Sequence, residues 1–84
     1  MAYVVTLKQS AERELDRLPS SLHDRIVERL LALKQDPRPR GARNLRGRRG
    51  YRIRIGDYRV LYTVEDRGRV VEVFSIAHRR EVYR

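Results

Sequence analysis

The chain has no cysteine and only two histidines. The first absence excludes a disulfide framework and a thiolate metal site, and the second leaves too few ligands for a structural zinc. No run approaches the ~20 apolar residues that cross a bilayer, and the N-terminal MAYVVTLKQS lacks the apolar stretch of a secretion signal. A soluble cytoplasmic protein with no membrane partner is expected. At 84 residues, one domain over residues 1–84 is predicted, with a limited core. Lysine is scarce too, since 18 of the 20 basic residues are arginine. Arginine presents a planar donor fork that meets phosphate at two points, where lysine acts as a point charge.

The formal net charge is +9 and the pI near 11.0, which points to a polyanionic partner. The charge is polarised along the chain. Residues 1–37 carry six Lys/Arg against six Asp/Glu, whereas residues 38–84 carry 14 against five. Between Arg38 and Arg52 there is no acid at all.

The most informative stretch is YRIRIGDYRVLY, Tyr51 to Tyr62. Apolar residues alternate with Arg52, Arg54 and Arg59, the period of half-buried strands, and Gly56-Asp57 suits a type II′ hairpin turn. With those two residues as the loop, Ile55 opposes Tyr58, Arg54 opposes Arg59, Ile53 opposes Val60, Arg52 opposes Leu61 and Tyr51 opposes Tyr62. Opposed residues project to one side of a sheet. Tyr51, Ile53, Ile55, Tyr58, Val60 and Tyr62 therefore share a core face, and Arg52, Arg54 and Arg59 share the other with Leu61 and Thr63. Like charges directly opposite one another are destabilising. Arg54 and Arg59 then either splay into water or stand ready for an anion.

Around this hairpin, residues 3–7 alternate as a first strand. Ser10 is placed to cap a short helix containing Ala11, Leu15 and Leu18, which Pro19 stops. Ser20 or Ser21 is placed to cap a second helix whose stripe of Leu22, Ile26, Leu30 and Leu33 is widened by Val27 and Leu31 and ends at Asp36-Pro37. Residues 38–50 read as a basic loop with Arg43, Arg46, Arg48 and Arg49 as RNA-binding candidates, joined by Arg80 near the C-terminus. After a turn containing Gly68, residues 70–76, VVEVFSI, read as a third run of strand formers. The result is an α+β fold of order β-α-α-β-β-β, a helical hairpin packed on a mainly antiparallel sheet. The position of the first strand in that sheet is left open.

The chain ends in AHRREVYR, which sets His78, Arg79, Arg80 and Tyr83 directly after the last strand. Cleaving RNA through its own 2′-hydroxyl uses these residue types: one group takes the hydroxyl proton, one protonates the leaving 5′-oxygen, and cations offset charge on the pentavalent phosphorus. No metal or other cofactor is needed, because the nucleophile is in the substrate. Each residue also has a structural use: His78 can end the strand, Arg80 can pair with Glu81, and Tyr83 can pack its ring.

The order of a short strand, AERELDRLP, ALKQDPRP, LRGRRGYRIRIGDYRVLYTV and a closing FSIAHRREVYR resembles the RelE/ParE toxin superfamily of toxin–antitoxin systems, in its RelE branch, over nearly the whole chain. The resemblance implies a ribosome-dependent endoribonuclease that cuts mRNA in the A site, leaves a 2′,3′-cyclic or 3′-phosphate end and inhibits translation. It implies that Arg59 stabilises transition-state charge and that Arg52 and Arg54 hold the positions of two basic residues, often lysines. It further implies that Arg79, or Arg80 one place on, assists departure of the 5′-oxygen, that Tyr83 stacks on a base and orients the nucleophile, and that His78 moves a proton. The partners it implies are a cognate antitoxin that wraps the toxin, the ribosome and mRNA, and operator DNA only through the antitoxin complex.

One departure matters. Arginine at both 52 and 54 stays protonated, with a pKa above ~12, so it binds phosphate but is a poor general base. Proton abstraction then falls to His78 or Tyr83. Two other readings stand beside the ribonuclease: a ParE-like inhibitor of DNA gyrase on the same fold, and a catalytically inert RNA-binding domain. Retention of Arg52, Arg54, Arg59, Arg79 and Tyr83 favours the ribonuclease. Tyr3, Tyr51, Tyr58, Tyr62 and Phe74 are assigned mainly to the core side, which leaves Tyr83 as the good stacking candidate.

Overall fold

A computed structural model describes residues 2–82. Its elements run β1 (Val4–Leu7), α1 (Gln9–Asp16), α2 (Ser20–Ala32), β2 (Arg43–Asn44), β3 (Tyr51–Ile55), β4 (Tyr58–Glu65), β5 (Val70–His78) and α3 (Arg79–Val82). The strands form one sheet in the order β1-β5-β4-β3-β2. All neighbours are antiparallel except β1, which runs parallel to β5 and closes that edge. The α+β class and the β-α-α-β-β-β order read from the sequence are found, with the two-residue β2 and the one-turn α3 in addition. Among the described residues no helix is long and apolar enough to cross a membrane.

α1 and α2 lie on one face of the sheet. They bury Ala11, Leu15, Ile26 and Leu30, with Leu33 following, against Ile53, Ile55, Val60, Tyr62, Val71 and Val73. Leu31 does not widen the stripe and is 53% exposed, because each residue advances ~100° around a helix and Leu31 falls past the packed face. Neither predicted serine cap forms. Lys8 donates its N–H to the Val73 carbonyl at 2.8 Å as the last rung beside β5, so the helix begins at once and Ser10 falls inside its first turn. Pro19 holds the cap position of α2 with an extended backbone, which leaves Ser20 and Ser21 inside the helix. Beyond Leu7, α1 covers the open edge of β5, where the Glu14 carboxylate accepts the Ile76 N–H at 2.9 Å. A backbone donor that β1 is too short to reach is thereby satisfied.

The β3–β4 hairpin has the register expected at all five pairs. Gly56 takes φ +61° and Asp57 does not take a positive φ, as the first and second loop positions of a type II′ turn require. Three features differ from the sequence reading. Arg43 and Asn44 leave the basic loop to pair with Arg52 and Tyr51 as β2, which is too short to show any period. β5 runs two residues past Ile76, since Ala77 pairs with Arg59 and His78 with Tyr58. His78 is thus the last residue of the strand and does not follow it. Finally, Leu61 opposes Ser75 while Tyr62 opposes Val73, so Phe74 is the extra residue of a β-bulge. Val73 and Ile76, on either side, both enter the core. Phe74 is turned out of that core and does not belong to the core side.

Tyr62 is fully buried, stacks on Tyr51 at 5.8 Å between ring centroids and donates its hydroxyl to the Pro37 carbonyl at 2.8 Å. Burial pushes its phenol up to about 12. Next to it, Arg38 ties four segments together. Its guanidinium donates to both carboxylate oxygens of Asp66, at 3.1 and 2.8 Å, and to the Tyr51 hydroxyl at 2.8 Å, while Tyr3 donates to Asp66 at 2.7 Å. The hydrogen bonds from Arg38 first, and then Tyr3, hold the Asp66 carboxyl down at about 2. An unfolded aspartate titrates near ~3.9, so the network's contribution is complete above about pH 4 and is lost as pH falls through about 2. Thermal unfolding across this window is expected to show a downward slope in Tm that Asp66→Asn flattens. The group is exposed, which keeps the slope shallow.

Candidate nucleic-acid interface and active site

The sheet face away from α1 and α2 carries the arginines. Register puts Arg54 opposite Arg59, Arg52 opposite Leu61 and Arg43 opposite Arg52. Arg54 and Arg43 are exposed. Arg59 is only 3% exposed, and Leu61 and Ala77 on the same face are also buried. α3 packs back on β4 and β5. Arg59 therefore does not splay into water. Its Nη1 donates to the Tyr58 carbonyl at 3.2 Å, while its Nε is buried with no partner among the described residues. An unsatisfied buried donor costs about 1–3 kcal/mol, and more when charged. A held cation with an unsatisfied donor, facing a second arginine, is arranged to favour an anion brought to this face.

The C-terminal residues converge on the same end of the sheet. Arg79 donates its N–H to the Asp57 carbonyl at 2.8 Å, which pins the start of α3 to the hairpin turn beside Arg54 and Arg59. Arg80 donates its N–H to His78 Nδ1 at 3.3 Å, and the His78 ring meets Tyr58 edge-on at 5.6 Å between centroids. With Nδ1 accepting, a neutral His78 carries its proton on Nε2 and presents a donor. Tyr83, assigned to stacking and orientation, lies outside the described residues.

Arg52, Arg54 and Arg59 thus share one face, with the start of α3 at Arg79 beside them and Arg43 across from Arg52. His78 instead pairs with Tyr58 and projects with it to the helix side, so the structure does not bring it onto the arginine face. Arg46, Arg48 and Arg49 do not join this group. They lie in the β2–β3 loop, at the end of β3 away from the Gly56 turn, and Arg48 sits over the Phe74 ring at 4.3 Å. A cleft of about 210 Å³ lined by Arg29, Gly41, Arg43, Arg52 and Arg54 wraps the β3 edge. Arg43 is held there by donating to the Arg40 and Ala42 carbonyls at 3.2 and 3.1 Å. Arg29, from the last turn of α2, was not visible as a site residue in the sequence, because only the fold brings it to the sheet edge. A second cleft of about 340 Å³ is lined by Arg38, Asn44, Arg48, Arg49, Tyr51 and Asp66, among others.

Comparison with known proteins places the fold in a family. The family model described as the ParE toxin of type II toxin–antitoxin system, parDE, matches residues 5–83. The chain is 32% identical to Toxin RelG of Mycobacterium tuberculosis, over 100% of this chain and 99% of that protein. It is 34% identical to Toxin RelE of the same organism, over 98% and 87%. The fold superposes on a chain of the toxin–antitoxin complex RelBE2 from M. tuberculosis with a TM-score of 0.84 and 28% identity, covering 96% of this chain and 95% of that one.

Proposed function

The chain belongs to the ParE toxin family of type II toxin–antitoxin systems, with RelE-like relatives, and from that premise we propose that it is a ribosome-dependent endoribonuclease cutting mRNA in the A site. The observation that carries the reading is Arg59, a guanidinium kept out of water, with Arg54 opposite and no partner for its Nε among the described residues. Such a charge is costly in the free protein and is repaid where negative charge develops.

In the reaction, the 2′-oxygen of an A-site nucleotide gives up its proton and attacks the adjacent phosphorus, and the bond to the 5′-oxygen breaks. The products are a 2′,3′-cyclic phosphate and a 5′-hydroxyl. Arg52 and Arg54 bind the phosphate, Arg59 meets the charge on the pentavalent phosphorus, and Arg79 stabilises the departing 5′-oxygen. Tyr83 is left to receive the proton of the nucleophile. His78 carries a proton on Nε2 but stands on the Tyr58 side of the strand end, so its donation to the 5′-oxygen has to pass around the end of the sheet. Replacing His78 by Gln is expected to slow single-turnover cleavage by roughly 10²-fold. A rate left near that of the wild type removes His78 from the chemistry.

Binding to mRNA and ribosomal RNA draws on the same surface and weakens with salt. The RelBE2 neighbour is a toxin–antitoxin complex, which supports a cognate antitoxin that wraps this chain and brings acidic residues toward its arginines. The family model also carries the ParE name, and this keeps gyrase inhibition as a second reading. Purified protein added to programmed ribosomes with end-labelled mRNA separates the two. A cut in the A-site codon is expected; intact mRNA with blocked supercoiling by gyrase would replace the first reading with the second.

A further inference from the structure

Three observations place Arg48 against Phe74. The bulge turns Phe74 out of the core. The β2–β3 loop lies flush on β4, since a Cβ at Gly50 would come 2.8 Å from the Tyr62 carbonyl oxygen and 3.6 Å from Phe74 Cε2. The loop is closed by the Leu45 N–H donating to the Gly50 carbonyl at 3.0 Å. Together these set the Arg48 guanidinium carbon 4.3 Å from the centroid of the Phe74 ring, while Arg48 stays exposed. The guanidinium sits over the ring while the residue as a whole keeps its exposure to solvent.

Unpaired RNA bases stack on guanidinium planes as well as on aromatic rings, and a group already held in place loses less freedom when a partner arrives. The location also suits RNA. Ser75, next to Phe74, lies opposite Leu61, which lies opposite Arg52. Neighbouring strands are ~4.8 Å apart, so the stack stands on the order of 10 Å from Arg52 across one sheet face. A nucleotide next to the one whose phosphate is held by Arg52 and Arg54 can reach it with its base.

We infer that Arg48 and Phe74 form a stacking platform for one unpaired base of the mRNA beside the cut phosphate, an inference that rests on the ribonuclease reading. Neither group reads the hydrogen-bonding edges of a base, so the platform sets affinity and tolerates every base.

The test is single-turnover cleavage on programmed ribosomes as a function of protein concentration, for wild type, Arg48→Lys and Phe74→Leu. Each protein is given intact mRNA and mRNAs abasic at one A-site or flanking position at a time. Lysine keeps the charge and loses the plane. Both variants are expected to raise the half-saturating concentration about tenfold and to leave the maximal rate unchanged. One abasic position is expected to impose the same loss on the wild type and to add nothing in Arg48→Lys. Half-saturation unchanged in Arg48→Lys, or an Arg48→Lys loss that persists on every abasic mRNA, overturns the platform while the ribonuclease stands. A wild type that neither cuts nor binds overturns both. Phe74→Leu is read alongside its thermal unfolding, and Arg48→Lys, on the surface, decides the matter if Phe74→Leu is unstable.

Discussion

Replacing Arg59 by methionine is expected to slow A-site cleavage by roughly 10²- to 10³-fold and, in the same protein, to raise Tm. The two effects have one cause. Arg59 is 3% exposed, and among the described residues its Nε has no partner and its Nη1 donates to the Tyr58 carbonyl. Methionine keeps apolar volume on the face it shares with the buried Leu61 and Ala77 and removes the desolvated charge and its repulsion with Arg54. Exchanging buried charge for apolar volume is often neutral or stabilising by about 1–4 kcal/mol, and each kcal/mol shifts Tm by about 4–8 °C in a domain of this size. Quench-flow cleavage and thermal unfolding of one preparation measure both. A variant that loses activity and also melts lower would show that the fold depends on the guanidinium, and the account of a charge held for the substrate would fail.

Gly50→Ala is expected to be the most destabilising single-methyl change in the basic loop. Gly50 has φ +134°, a conformation nearly closed to residues with a side chain, and the new Cβ would meet the Tyr62 carbonyl oxygen at 2.8 Å and Leu45 Cδ1 at 3.1 Å. That carbonyl belongs to β4 and cannot swing away without disturbing the hairpin. Strain of this kind costs about 1–3 kcal/mol before the clash is added, so a fall in Tm of roughly 10–20 °C is expected. Because the loop would lift from β4, Arg48 would leave Phe74 as well. Gly41→Ala is the control, since nothing lies within 4 Å of its Cβ position, and it is expected to leave Tm near that of the wild type. Equal melting of the two variants would mean that the loop does not lie flush on the sheet.

What was legible in the sequence follows from how local each signal is. The hairpin register is fixed by alternation on both sides of Gly56, so the Arg54 and Arg59 pairing could be read before any coordinates. The helical stripe through Ile26, Leu30 and Leu33 was legible for the same reason. Phe74 was misplaced because VVEVFSI reads as one continuous run, and a bulge shifts its phase by one residue without leaving a Gly or Pro mark. Alternation marks Arg59 only as a member of the arginine face and says nothing of its burial, and α3, which packs on β4 and β5 beside it, is a one-turn helix with no periodicity to detect. Arg29 reaches the arginine cleft only through the packing of α2 on the β3 edge. The caps failed where a tertiary constraint, the last hydrogen bond of β1 or the backbone of Pro19, set the start of the helix ahead of the serine. The roles of Arg79, His78 and Tyr83 were reached by resemblance, and the structure adds the Arg79 to Asp57 tether and the Nδ1 bond of His78.

The central claim, that arginines on one sheet face promote attack by a substrate 2′-hydroxyl, is tested most directly by removing that hydroxyl. Programmed ribosomes would carry mRNA that is all-ribose, or that has a single 2′-deoxynucleotide on the 5′ side of the cut. The account predicts cleavage of the first with a 2′,3′-cyclic or 3′-phosphate end, and no cleavage at the deoxy position of the second. A cut at the deoxy position that leaves a 3′-hydroxyl, or all-ribose mRNA left whole by folded protein, would contradict it.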